Sequence, residues 1–511
     1  MTKINSAANP TWYGDIRNMF TKRDIDHMLN YAGLYGVDLS SYNYVSAHAA
    51  LIYQQVASGN MPKGGPRWSQ EWLTAFLDWM QAGCPMGIPA QTRLFAAALA
   101  GEPVSKAKRI RKDITALSQP ELDVLITAFQ GMMAKDASDP TSYFAQAGNH
   151  WLPLPNLYCM HHAPAYNPWH RAYLMSFEDA MRTVPGCENV TLPYWDITMP
   201  FPDVLKSAPF ASYTFPQDVG PAPYVKGYTT ERFDYTAIQQ NLLKYKVTDS
   251  VNRALAQTTW EGFHGLFANA PNNTIINAHD MGHNSIGPTM QDQNVAAFDP
   301  VFWFFHSNWD RLYWLWQNKM QATDRNGLLS TINKVTDVVS FQTFTVPAAG
   351  TLPPFTANAP KLNAVDTINS ADGLSVDYKN PPAAPKIALR AQEQVASPAS
   401  KNFTVKTEFV NVRVNGLNRL KIPGSFDVQL MKNGKVLATT GFFQPNEADK
   451  CENCVNNAVV HFDFELPLSD VSDGRLSVRV EPFNKDFIGD EIPGSMMGNP
   501  TVEVHFLLRN E

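Results

Sequence analysis

The chain has five cysteines among 511 residues, a number too small and too odd for a disulfide framework, which points to a reducing compartment. It also has no long run of lysine and arginine. With a formal net charge of −6, that absence argues against a nucleic-acid backbone or an anionic membrane surface as partner. Nowhere does the sequence approach the roughly 20 uninterrupted apolar residues that cross a bilayer. The opening MTKINSAANP has no apolar run behind a basic start, so a cytoplasmic location is expected, and the sequons at Asn189 and Asn402 carry no weight. What is abundant is apolar bulk: 44% hydrophobic and 12% aromatic residues against 17% charged, the balance of a globular protein. A single core stops growing near ~250 residues, so several domains are expected.

From about Thr11 to Pro89 apolar residues recur every three to four positions, in IRNMFTKRDIDHML, SYNYVSAHAALIYQQVASGNMP and WSQEWLTAFLDWMQAG. That period predicts helices, broken at GNMPKGGPRW and GCPMGIP. A further amphipathic helix is predicted in KRIRKDITALSQPELDVLITAFQGMM, capped by Ser118 with Pro120 and Glu121 in its first turn. Helical patterning continues to about Gln321. Residues 344–385 turn rich in Pro and Ala, an irregular segment that marks a boundary. Beyond about Asn402 the period becomes two, as in FTVKTEFVNVRV and VVHFDFELPL, with Asn433-Gly434 as a hairpin turn. The expected fold is therefore α+β and multidomain. It comprises an N-terminal helical module (1–100), a mostly helical core of four-helix-bundle type (101–385) and a C-terminal β-sandwich (386–511).

Twelve histidines are present, and their placement is informative. His150, His161, His162 and His170 share one segment, His279 and His283 another, and His306 follows in an aromatic helix. Positions four apart share a helix face, so His279 and His283 in NAHDMGHN can reach one ion. His170 in PWHRAYLMSFED and His306 in DPVFWFFHSNWDRLYWLWQ lie in strongly apolar stretches, where an imidazole is expensive unless paired or coordinated. An all-imidazole set without thiolate or carboxylate suits copper, zinc or iron. Two clusters of three histidines on neighbouring helices read as two ions side by side.

The stretch CMHHAPAYNPWHRAYLMSFE resembles the first copper motif of the type 3 copper proteins, the tyrosinases, catechol oxidases and haemocyanins. AHDMGHN and DPVFWFFHSNWDRLYW resemble the second. The resemblance makes His161 and His170 ligands of a first copper ion, with His150 in YFAQAGNHW as the third, and assigns His279, His283 and His306 to a second. It implies a thioether between Cys159 and His161, the alternative being an ordinary buried thiol. His162 then points elsewhere, as a neighbour of the ligands or a surface residue. Asp310, one turn after His306, is expected either to accept the free N–H of a ligand imidazole or to stand solvated beside Arg311.

That family uses two copper ions to bind dioxygen side-on as peroxide and to convert monophenols or o-diphenols to o-quinones. The implied partners are dioxygen and a phenolic small molecule; self-association is left open. Asp280 and Asn284, each following a ligand of the second copper, are the residues expected to influence phenol deprotonation, with Asp280 itself able to accept the proton and so to favour monophenolase activity. The segment IRNMFTKRDIDHML through FLDWMQAG is similar to a small helical module attached to some bacterial members. The β-rich tail resembles the lid domain of fungal pro-tyrosinases, where TTGFFQPNEADKCENCVNN implies that Phe443 or Phe442 occupies the substrate pocket and keeps the enzyme latent. Both phenylalanines as plain core is the alternative. Cys451 and Cys454 suit transient Cu(I) loading, or a loop disulfide or redox pair, and Cys84 and Cys187 read as structural. The other outcomes open to such a site are a catechol oxidase without monophenolase activity and a haemocyanin-like oxygen binder.

Overall fold

The computed structural model describes residues 10–12, 15–31, 37, 39, 42–62, 66–85, 108–153, 158, 160–265, 274–357, 361–379, 409–484 and 492–506. The chain divides into two compact units, Met1–Lys106 and Ala107–Glu511. The boundaries expected at 100 and 385 lie outside the described residues, and the helical and β-rich parts of the second unit pack as one body.

The first unit contains α1 (Lys22–Tyr31), α2 (Tyr42–Ala47), α3 (Ala49–Ala57) and α4 (Gln70–Gln81). Ser69 starts α4 by accepting the Trp72 N–H at 3.3 Å, an N-cap as the sequence chemistry requires. Trp12, Phe20, Trp68, Phe76 and Trp79 form its core. An aromatic cluster of this kind buries much area per residue, which suits a small module.

In the second unit the predicted helix is α5 (Gln119–Ala134), with Pro120 in its first turn and the Ser118 N–H donating to Glu121 Oε2 at 2.8 Å. Next come α6 (Tyr143–Gly148), α7 (Tyr166–Met181), α8 (Tyr235–Lys244), α9 (Val247–Ala256), α10 (Trp260–His264), α11 (Ile275–Ile286) and α12 (Val301–Met320). Three of these, α7, α11 and α12, are buried nearly throughout, their polar residues included. Phe177 of α7 stacks on Trp303 of α12 at 3.5 Å and 12°. Arg171 of α7 donates to Asp310 of α12 at 2.5 Å and to the Thr367 carbonyl at 2.7 Å. Arg111, in β1 (Arg109–Arg111), meets the same carboxylate at 3.4 Å and Glu178 at 3.2 Å. These buried charges are thus paired, the condition for tolerating them. Strand β1 pairs in parallel with β2 (Val376–Tyr378), tying the start of the unit to the end of its helical part.

The remaining strands are β3 (Phe409–Asn418), β4 (Phe426–Lys432), β5 (Lys435–Phe442), β6 (Val459–Pro467), β7 (Leu476–Pro482) and β8 (Thr501–Phe506). They make two antiparallel three-stranded sheets, ordered β6-β3-β8 and β5-β4-β7. Val410, Val412 and Val414 alternate inward along β3 and share one apolar cluster with Val428 and Leu430 of β4. Asn433 and Gly434, with φ of 51° and 78°, turn β4 into β5 as the Asn-Gly pair predicts. Residues of β4 are buried on both faces, because the second face meets the helical core: Asp427 accepts from Tyr245 Oη at 2.7 Å and pairs with Lys244 at 3.0 Å. Strand β5 crosses α11 so closely that a Cβ on Gly441 would have to push the Asn284 amide aside.

Candidate metal centre

Six imidazoles converge where α7, α11 and α12 meet. Helix α7 delivers His170, α11 delivers His279 and His283 from one face, and α12 delivers His306. His150 comes from the turn after α6 and His161 from the turn before α7. Three helices and two turns therefore supply the set. His170 stacks on His306 with centroids 4.7 Å apart, and His279 lies 4.5 Å from His283 and 5.2 Å from His161. All six are buried.

Their tautomers follow from their partners. The Nδ1 atoms of His150, His170, His283 and His306 lie 3.2, 2.9, 2.8 and 3.0 Å from the carbonyls of Gln293, Tyr166, Met290 and Phe302. A carbonyl only accepts, so each Nδ1 carries the proton and each Nε2 offers a lone pair. His279 Nδ1 is held instead by the Asp280 carboxylate at 3.0 Å. Its Nε2 faces Nε2 of His306 at 3.2 Å, two lone pairs that a cation between them would reconcile. The Nε2 atoms of His150 and His283 are buried with no hydrogen-bond partner among the described residues. Burial pushes His170 and His283 down to about 3. The other four imidazoles lie well below the usual range, through burial and then through neighbouring imidazoles. Neutral imidazoles with inward lone pairs fit copper.

The donor atoms of His150, His161 and His170 lie within 4.8 Å of one another, as do those of His161, His279 and His306. His161 thus stands between the two groups, and His283 is the expected second-site ligand that the close-set triad omits. Cys159 lies outside the described residues, and with it the thioether.

Other expected site residues are redistributed. Asp310 accepts from Arg171 and, at 2.5 Å, from Tyr378 Oη, while His306 Nδ1 goes to a carbonyl; Arg311 pairs with Asp196 at 2.8 Å. The carboxylate beside a ligand imidazole is Asp280. Its Oδ1 faces His279, and its Oδ2 faces His162 Nε2 at 2.8 Å and the Phe443 N–H at 3.3 Å. Burial raises this carboxyl, and the His162 contact pulls against that. Asn284 has both side-chain polar atoms buried without a partner among the described residues. Phe443 enters the cluster, stacked on His283 at 3.9 Å and 14°. Phe442 stacks on His162 at 4.4 Å and 12° and belongs to the β-domain core. Cys451 and Cys454 are joined as a disulfide, and Arg419 Nη2 donates to Cys454 Sγ at 3.1 Å. Cys84 and Cys187 are free. Sequence reasoning passed over Arg419, which no motif singles out, and the holding role of Asp280, which its position directly after a ligand does signal.

The two buried histidine triads, which share His161, are groups that could hold metal ions. Residues 140–319 match the common central domain of tyrosinase. It is 25% identical to a tyrosinase of Aspergillus oryzae over 446 residues, covering 63% of this chain and 81% of that one. It is 29% identical to a G-type hemocyanin of Enteroctopus dofleini over 245 residues, 42% of this chain and 8% of that much longer one. The fold is shared with a tyrosinase structure from Burkholderia thailandensis, with a TM-score of 0.56 at 20% identity, covering 78% of this chain and all of the other. The homology and the histidine triads support a copper protein that oxidises substrate or binds oxygen. Among the described residues, no helix is long and apolar enough to cross a membrane.

Proposed function

We propose that the protein is a latent dicopper phenol oxidase that converts monophenols or o-diphenols to o-quinones, with dioxygen as co-substrate. Phe443 carries this reading. Its ring lies 3.9 Å from His283, 5.1 Å from His161 and 5.9 Å from His279, so a six-membered aromatic ring fits against the ligand histidines. A phenol would take the same space once Phe443 leaves it. His150, His161 and His170 would hold one copper ion, and His279, His283 and His306 the other. Bound there, two copper ions would supply the redox chemistry that activates dioxygen.

The chain's own residues do the remaining work. Phe302, stacked on His306 at 3.8 Å, and Phe305, 4.7 Å from His283, wall the cluster and exclude water. Asp280 has both oxygens engaged with imidazoles, so it holds ligands in place of collecting a phenol proton. That favours o-diphenols over monophenols. Asn284 lies under β5, and displacement of that strand frees its amide to bind a substrate oxygen. After reduction, Cys451 and Cys454 would offer soft donors for Cu(I); Asn453 between them lies 3.7 Å from Met160, which precedes His161.

The test is quinone formation by the copper-loaded full chain from catechol and from a monophenol, before and after limited proteolysis of the β domain. Turnover that appears on cleavage supports the proposal. No turnover of either substrate after lid removal overturns it and leaves oxygen carriage, the reading that the hemocyanin relationship favours, to be read as reversible oxygen uptake.

A further inference from the structure

Four ligand imidazoles are anchored at Nδ1 by main-chain carbonyls, whereas His279 is anchored by a side chain. Its orientation therefore depends on what holds Asp280. We propose that His162 is a positioning residue for the second metal: it clamps Asp280, and Asp280 in turn fixes the imidazole of His279. This rests on the copper-site reading above.

The backbone is shaped for the task. His162 sits at φ 52°, a left-handed conformation in which a residue bearing a Cβ is strained and which persists only where its surroundings enforce it. The turn sends two consecutive imidazoles to different places, their centroids 6.4 Å apart. His161 joins the ligand cluster. His162 places Nε2 2.8 Å from Asp280 Oδ2 while Asp280 Oδ1 lies 3.0 Å from His279 Nδ1. A carboxylate bound at one oxygen only can swing about its own axis; bound at both, it presents a fixed acceptor to His279. Ligand imidazoles are tuned by such outer partners, whose loss typically weakens metal binding about 10–100-fold.

His162, Asp280 and His279 all belong to the helical core, so the clamp survives displacement of the β domain. That domain contributes Phe442, stacked on His162 at 4.4 Å, and Arg419 Nη1, 3.5 Å from Nδ1. One tight turn thus serves both metals, the first directly and the second through Asp280.

The test compares copper retained per chain by the purified full-length protein during dialysis against a graded copper chelator. His162→Phe keeps a ring for Phe442 but removes the donor to Asp280, His162→Gln restores an N–H donor, and Phe442→Leu removes the stack alone. Expected is two ions held by the wild type and by Phe442→Leu. In His162→Phe the second ion is lost at about 10–100-fold lower chelator concentration with the first unchanged, and His162→Gln recovers most of the difference. Should His162→Phe fail to fold, His162→Met gives the same comparison. Equal retention of both ions in wild type and His162→Phe overturns the inference, as does an equal loss in Phe442→Leu. A wild type that takes up fewer than two ions overturns the dicopper reading itself, and this inference with it.

Discussion

Replacing Phe443 by alanine should convert a latent chain into an active one without proteolysis. The side chain is fully buried, and withdrawing a phenylalanine from water removes about 150–250 Å² of surface. At about 25 cal/mol per Å² that is about 4–6 kcal/mol, and measured Phe→Ala replacements in cores cost about 3–5 kcal/mol. Phe443 gains this burial only while the β domain is docked, since its neighbours are His161, His279 and His283 of the helical core. The substitution therefore weakens docking by about 3–5 kcal/mol, and with each 1.4 kcal/mol worth a factor of ten, the open population rises by two to three orders of magnitude. The alanine also leaves a space beside His283 that a small phenol can enter with the lid in place. The assay is the initial rate of catechol oxidation by intact, copper-loaded protein, set against the same protein after lid removal, which is the ceiling for both. Wild type and Phe443→Ala should differ by at least about tenfold before cleavage and coincide after it. Equal rates before cleavage, with both forms activated by it, would show that Phe443 does not block the site.

The metal-free protein should lose stability in mild acid. His170 and His283 are pushed down to about 3 by burial and titrate near ~6.5 when unfolded, so below that pH the unfolded chain takes up protons the native one refuses. Stability is complete above about pH 6.5 and falls toward pH 3, by about 2 kcal/mol per residue at pH 5. A melting temperature that is flat between pH 7.5 and 5 would contradict this. Copper added at neutral pH should raise that temperature by mass action, about 2.7 kcal/mol at a hundredfold excess over Kd, and a chelator should reverse the shift. Asp310→Ala should cost about 3–5 kcal/mol by leaving the buried Arg171 without its carboxylate, Arg111 keeping Glu178, visible in chemical denaturation; a loss under about 1 kcal/mol would mean the Arg171–Asp310 pair is not enclosed as described. Changing both Cys451 and Cys454 to serine should lower copper content after expression while leaving loading of purified protein with Cu(I) unchanged. Equal occupancy in cells would remove the loading role.

How much of this was legible in the sequence depended on whether a residue's role was local. His279 and His283 share a face because four residues make about one helical turn, and His170 and His306 announced themselves as polar groups in apolar helices. The capping box at Ser118 and the hairpin at Asn433-Gly434 are equally local, and both stand where their residues predict. Asp310 was misplaced because spacing along α12 puts it near His306, while its charge is claimed from other elements: Arg171 on α7, Arg111 on β1 and Tyr378 on β2. The choice between Phe442 and Phe443 turned on the pleat. Successive strand residues face opposite ways, and only the docked register shows that Phe442 turns toward the sheets and Phe443 toward the imidazoles.

That pleat also explains why cover and ligand shell meet at Asp280. The strand that inserts Phe443 must bring its main-chain N–H down to the same depth, where the nearest acceptor is Asp280 Oδ2 at 3.3 Å, already taking His162 at 2.8 Å. The longer of the two contacts is the one the lid supplies, so the carboxylate is organised chiefly by the core and only supplemented by the cover. Undocking should then leave His279 in place while opening the space beside His283. The opposite outcome, a protein that releases its second copper when the β domain is removed, would mean that the cover organises the metal site as well as closing it. Copper per chain measured before and after cleavage, on the same sample used for the catechol rate, separates the two: two ions retained with activity gained is the expected result.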